Sequence, residues 1–140
     1  MMSNIRAYID ANVVIFALDL DEGDERSQKA FDVLEDSGRV ILVSDYLWLE
    51  VRPKTIYHKQ NHQTAFIDKI FDRAEMINSG QSVIEKAKSL AVRYGLSAMD
   101  ALHAASAIEG RADELITFER PTKPFYRIPA SELRIVSLYN

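Results

Sequence analysis

The sequence contains no cysteine. That absence removes disulfides and thiolate metal sites, so the chain needs no oxidising compartment and has no framework for structural zinc. Histidine does not fill the gap: His58, His62 and His103 are too scattered to form a zinc motif. No apolar run reaches the length of a membrane span, because Arg6 and Asp10 interrupt the hydrophobic N-terminal stretch. That stretch also lacks the cleavage pattern of a signal peptide, which makes the cytoplasm the expected location. An excess of positive charge is missing too. With a net charge of −4 and a pI near 5.4, bulk charge cannot hold nucleic acid, and any phosphate contact has to be local. Internal repeats, low-complexity tracts and interdomain linkers are absent as well.

What remains is 140 residues, 47% of them hydrophobic, enough for one domain over 1–140 with a real core. Ile5 to Ile9 reads as a short buried strand and Ala11 to Leu18 as the helix that follows. Asp19 to Glu25 is acidic, but its spacing does not fit the twelve-residue calcium loop and no bidentate glutamate closes it. A solvated loop with Asp24 capping the next helix is expected instead. Ala30, Val33 and Leu34 predict a helix over 25–36, stopped by Ser37-Gly38. Val40 to Val43 reads as a strand covered on both faces. Ser44 or Asp45 should cap a helix carrying Trp48 and Glu50, which Pro53 should kink or restart. Amphipathic spacing predicts helices over 64–76 and 82–94, the second ended by Gly95. An alanine-rich helix over 97–108 and strands over 114–117 and 133–138 complete the pattern, with a proline-bearing loop over 121–129. Strands alternating with helices imply an α/β fold: a central parallel sheet with helices on both faces.

Four acids stand out against this pattern, Asp10, Glu50, Asp100 and Glu119, each beside sequence that should be buried. An unpaired buried carboxylate is costly. No matching set of buried lysines or arginines is visible, so a divalent cation is the natural compensator. In an open parallel sheet, ligands gather outside the carboxyl ends of the strands. Asp10 and Glu119 fall at or just after such ends, and Glu50 and Asp100 lie on helices able to face the same crevice. Mg²⁺ or Mn²⁺ prefers oxygen ligands and keeps several waters, so a few carboxylates suffice. The implied chemistry is in-line hydrolysis of a phosphodiester by an activated water.

Asp10-Ala11-Asn12, then Asp100-Ala101-Leu102-His103-Ala104-Ala105, then Ala112-Asp113-Glu114-Leu115-Ile116-Thr117 also occur in a telling order. Together they resemble the PIN-domain ribonucleases, most closely the single-domain toxin subunits of VapBC-type toxin–antitoxin pairs. The resemblance runs from Tyr8 to the C-terminus. It implies Asp10 and Asp100 as core metal ligands, Glu119 completing the site, and Glu50 as a further ligand or a carboxylate that positions water. Asn12, Ser44 and Thr117 match the family's supporting polar residues. The resemblance further implies a Mg²⁺-dependent endoribonuclease, with Mn²⁺ as an alternative ion, an RNA substrate, a homodimer and an antitoxin partner. Two positions depart from the family: Glu119 stands where aspartate is common, and Pro121 where many members carry another acid. The second departure removes a ligand that a second metal would use.

Each residue also has a plainer reading. Ser97-x-x-Asp100 resembles a capping box, a role compatible with metal binding. Asp10 reads otherwise as an acceptor of backbone hydrogen bonds, Glu50 as a helix-surface acid, and Glu119-Arg120 as a solvated turn. His103, one turn after Asp100, either contacts a phosphate or is satisfied within the helix packing. Arg52 and Lys54, near His58 and Lys59, form one candidate RNA-contacting group; Arg120, Lys123 and Arg127 around Phe125 and Tyr126 form another, with solvated surface as the competing reading for both. At the level of function, the alternative is a catalytically degenerate RNA- or protein-binding module. A phosphoryl-transfer domain using Asp10 ranks lower, because haloacid-dehalogenase-type phosphatases need a second aspartate where Asn12 stands.

Overall fold

In the computed structural model, which describes residues 4–19 and 23–139, five parallel strands lie in the order β3-β2-β1-β4-β5. They are β1 (Ile5–Ile9), β2 (Arg39–Val43), β3 (Glu75–Met76), β4 (Glu114–Thr117) and β5 (Arg134–Ser137). Between them run α1 (Ala11–Leu18), α2 (Glu25–Glu35), α3 (Asp45–Tyr57), α4 (Asn61–Arg73), α5 (Gln81–Tyr94) and α6 (Ala98–Glu109), and a 3-10 turn spans Pro124–Arg127. The chain builds the sheet outward from β1 in one direction through β2 and β3, then crosses to the other side for β4 and β5. The reversal leaves a crevice between β1 and β4 at their carboxyl ends, where α/β sheets bind ligands.

Strand geometry explains the two-sided core. Successive side chains of β1 point to opposite faces: Ala7 and Ile9 join Val13, Val43, Leu47 and Ile116 on one side, while Tyr8 joins Leu42, Leu90, Ala104 and Leu115 on the other. Burying each such large aliphatic side chain contributes about 1.5–3 kcal/mol. Helix α6 can lie close against the sheet because Ala101, Ala104, Ala105 and Ala107 on it are small and buried. Helix α5 stops at Gly95, whose φ of 68° is costly for any residue with a Cβ.

Three expectations need adjustment. The helix expected over 64–76 begins at Asn61 and ends at Arg73; Glu75 and Met76 pair instead with Leu42 and Val43 as a fifth strand. Arg6 holds Glu75 at two points, 3.0 and 2.6 Å, a long-range contact that no periodicity announces. Pro53 neither breaks nor restarts α3, which continues to Tyr57. The carbonyl deprived of a donor belongs to Leu49, whose residue is well exposed, so water can serve it. Only Leu42 and Val43 of β2 are fully buried, its first three residues being half-buried. In the acidic loop, Leu20, Asp21 and Glu22 lie outside the described residues; Asp24 does cap α2, accepting from the Arg26 N–H at 2.8 Å. Among the described residues, no helix is long and apolar enough to cross a membrane.

Candidate active site

The site starts at the end of β1. Asp10 is the N-cap of α1, and its Oδ1 accepts from the Ala11 N–H at 2.8 Å. Its Oδ2 accepts from the Thr117 hydroxyl at the end of β4, also at 2.8 Å. Only 6% of Asp10 is exposed. Thr117 is a hub: its Oγ1 also receives the Asn12 amide at 3.4 Å and the Glu119 N–H at 3.1 Å. Asn12 returns the contact by accepting from the Phe118 N–H at 3.1 Å. The Glu119 carbonyl accepts from the hydroxyls of Tyr126 and Ser137, both at 2.9 Å. Three elements thus fix the backbone that presents the Glu119 carboxylate.

Asp100 enters the crevice from the first turn of α6. Its N–H donates to Ser97 Oγ at 3.3 Å, so the capping reading is also correct. Burial is the largest influence raising the pKa of its carboxyl, followed by the negative charges of Asp10 and Glu119; Ser97 and His103 pull the other way. The Asp100 carboxyl therefore lies within the influence of the charges of Asp10 and Glu119. Such a set, all oxygen and of like charge, fits a hard divalent cation.

Glu50 arrives from α3 and meets His103 Nε2 on α6 in a close hydrogen bond. Asp10, Glu50 and His103 each offer a ligand atom, all within 4.8 Å of one another, and His103 Nε2 lies 4.0 Å from Asp10 Oδ1. His103 is 1% exposed, and its Nδ1 faces the Tyr8 hydroxyl at 2.6 Å. This is the packing-satisfied histidine of the plainer reading. Ser44 is buried and caps α3 through the Leu47 N–H at 3.1 Å; its other partner is the Tyr8 hydroxyl at 2.6 Å. Sequence reasoning passed over Tyr8. The available signal was a phenol in the middle of an apolar strand, where its hydroxyl must find a partner.

The basic candidates differ in their surroundings. Arg52 is gripped at two points by Asp68, at 2.6 and 3.2 Å, and lies over the Trp48 ring. Lys54 is exposed on α3. Arg120 and Lys123 line a groove of about 190 Å³ beside Glu119, with Phe16, Arg26 and Tyr139 as further walls. In this groove Arg120 stacks over Tyr139 at 5.2 Å and Arg26 over Phe16 at 4.8 Å.

The hub position of Thr117 has a direct consequence. Thr117→Val keeps the shape but leaves Asp10 Oδ2, the Asn12 amide and the Glu119 N–H without their shared partner. Leaving a buried polar group unpaired costs about 1–3 kcal/mol. A lowered melting temperature is expected, with a fall in turnover of about 10- to 100-fold as Asp10 loses its orientation. Unchanged melting and turnover would show that Thr117 orients nothing.

A model of the PIN domain family matches residues 7–129. The chain belongs to the PIN domain family, whose members are typically nucleases. Solved structures agree with the fold. VapBC2 from Rickettsia felis, bound to a DNA fragment from its promoter, superposes with a TM-score of 0.71 at 19% identity, covering 95% of this chain and 98% of that one. A toxin–antitoxin complex from Klebsiella pneumoniae gives 0.69 at 29% identity, with 96% and 98% covered. DNA-bound VapBC from Salmonella typhimurium gives 0.63 at 18% identity, with 95% and 98% covered. No curated protein matches the chain by sequence.

Proposed function

We propose that this chain is a divalent-metal-dependent endoribonuclease and the toxin of a toxin–antitoxin pair, acting in the cytoplasm as a homodimer. The observation that supports this reading is Asp100, whose carboxyl is raised in pKa first by burial and then by the charges of Asp10 and Glu119. These three carboxylates would hold Mg²⁺ or Mn²⁺. When bound, such an ion supplies water activation and neutralises charge developing on a phosphodiester. Asp10 is oriented for that role by Thr117 and the α1 N-terminus. Glu50 has Oε1 occupied by His103, which leaves Oε2 to orient a water and take its proton. The Arg26, Arg120 and Lys123 side chains would bind phosphates of a single strand, with Tyr139 and Phe16 available to stack on bases. Arg52 and Lys54 would contact flanking phosphates once RNA competes with Asp68 for the guanidinium.

The toxin role is supported by the 29% identity to a toxin–antitoxin complex along nearly all of both chains. Dimerisation is supported by Leu49, Ile56 and Tyr57 on α3, which expose large apolar surface at helical spacing. The test is cleavage of labelled single-stranded RNA with Mg²⁺ or Mn²⁺. Cutting should cease in EDTA and return when the ion is restored. Folded protein that cuts no RNA with either ion would favour the degenerate binding module instead.

A further inference from the structure

A line of hydrogen bonds runs beneath the carboxylates and reaches one of them. It starts at Ser44, passes through Tyr8 and His103, and ends on Glu50. Tyr8, Ser44 and His103 are all essentially inaccessible to water. Three elements contribute: β1 supplies Tyr8, α6 supplies His103, and α3 supplies Glu50 together with its N-cap, Ser44.

The direction of donation follows from the two ends. Ser44 Oγ already accepts the Leu47 N–H, so its own proton needs an acceptor, and the phenol oxygen of Tyr8 lies 2.6 Å away. The Tyr8 proton is then free to donate to His103 Nδ1. A ring accepting at Nδ1 carries its proton at Nε2, and Nε2 faces the Glu50 carboxylate, an acceptor. Every group in the line is satisfied in this arrangement. Burial, aided by the charges of Asp10 and Glu50 and opposed by hydrogen bonds from Ser44 and Ser106, pushes the Tyr8 phenol well above its usual range. It therefore stays a donor.

We propose that His103 is a positioning residue: Ser44 and Tyr8 lock its ring as the Nε2–H tautomer so that it holds the Glu50 carboxylate at the mouth of the active site. The role in turnover rests on the ribonuclease reading above; the tautomer does not. Both ring nitrogens are committed in this arrangement. The arrangement also accounts for a buried histidine in a helix whose other buried residues are alanines and one serine. An apolar residue would fill that volume but leave Glu50 free to swing between rotamers on a half-exposed helix face.

The discriminating experiment combines nitrogen-resolved NMR of histidine-labelled protein with kinetics of Tyr8→Phe, Glu50→Gln and the double variant. Tyr8→Phe keeps the buried ring and removes one hydroxyl, so it tests the line where His103→Leu alone would risk misfolding. The wild-type spectrum should show His103 protonated at Nε2 and bare at Nδ1, with the Nδ1 signal moving in Tyr8→Phe. Turnover of Tyr8→Phe should fall about 10-fold with KM unchanged. In the Glu50→Gln background the same change should cost nothing further, because Tyr8 and His103 act only through Glu50. An Nδ1–H tautomer, or losses that multiply in the double variant, would overturn the proposal. Wild-type protein that cuts no RNA would sink the ribonuclease reading, while the spectra would still decide whether Glu50 is held this way.

Discussion

Asp10→Asn and Asp100→Asn should each reduce RNA cleavage by at least about a hundredfold, yet move stability in opposite directions. Loss of turnover is expected from both because each removes a negative oxygen from a set whose chemistry depends on charge. The divergence in stability comes from their neighbours. Asparagine caps a helix about as well as aspartate, so the contact from Asp10 Oδ1 to the Ala11 N–H survives substitution. The other side of Asp10 does not. An amide there would point a donor at Thr117 Oγ1, which already receives the Asn12 amide and the Glu119 N–H, and the loss of one good buried hydrogen bond costs about 1 kcal/mol or more. Asp100 is in the reverse position. Its charge is disfavoured first by burial and then by Asp10 and Glu119, so a neutral amide relieves a strain present in the metal-free protein. Thermal melts of metal-free variants at neutral pH should show Asp10→Asn below wild type and Asp100→Asn above it. An active Asp100→Asn, or one less stable than wild type, would remove Asp100 from the site described here.

The crevice was legible in the sequence because its makers are local and chemically conspicuous. Asp10 follows three buried residues of β1, and the alternation of strands and helices implies a parallel sheet whose carboxyl ends gather ligands. Asp10 and Glu119 therefore fall at or just after the ends of neighbouring strands even though they are far apart in the chain. Topology did that work, and topology is carried by a pattern that hydrophobic periodicity reports. The helix start at Ser97 was legible for the same reason: a capping hydroxyl sits next to the turn it caps.

Other features left no local trace. Strand β3 has two residues and is held by Arg6, sixty-nine positions earlier in the chain, so it merged into the end of a helical pattern. Pro53 was expected to kink or restart α3 because the rule concerns a missing donor, and the rule cannot tell that the stranded carbonyl lies on an exposed turn. Arg52 looked like a free cation until α4 folded Asp68 against it. Ser44 was legible as a helix cap and a supporting polar residue, but its partner, the Tyr8 hydroxyl, was not. In each case the deciding partner lies on another element, at a distance in sequence that periodicity and spacing do not encode.

Adding Mg²⁺ or Mn²⁺ should stabilise the wild-type protein, and the gain should grow with pH. The sign follows from Asp100. Its folded-state pKa is raised above the unfolded value, so between those two values the native state binds more protons than the unfolded chain. Metal-free stability therefore falls as pH rises through that window, and the penalty is fully present above it. A cation must displace the same proton to bind. Its contribution is consequently smallest below the window and levels off above it, opposing the trend of the metal-free protein. At an ion concentration of a hundred times Kd the stabilisation is about 2.7 kcal/mol, which for a domain of this size is a rise in melting temperature of roughly 10 °C. Melting curves from pH 4 upward, with and without the ion, should thus converge at the acid end and separate toward neutrality. Asp100→Asn should abolish the decline of the metal-free curve and most of the ion-induced rise together, since one carboxylate causes both. If the ion shifts melting equally in Asp100→Asn and wild type, the cation is held elsewhere. If it shifts neither, the three carboxylates serve some purpose other than binding a metal.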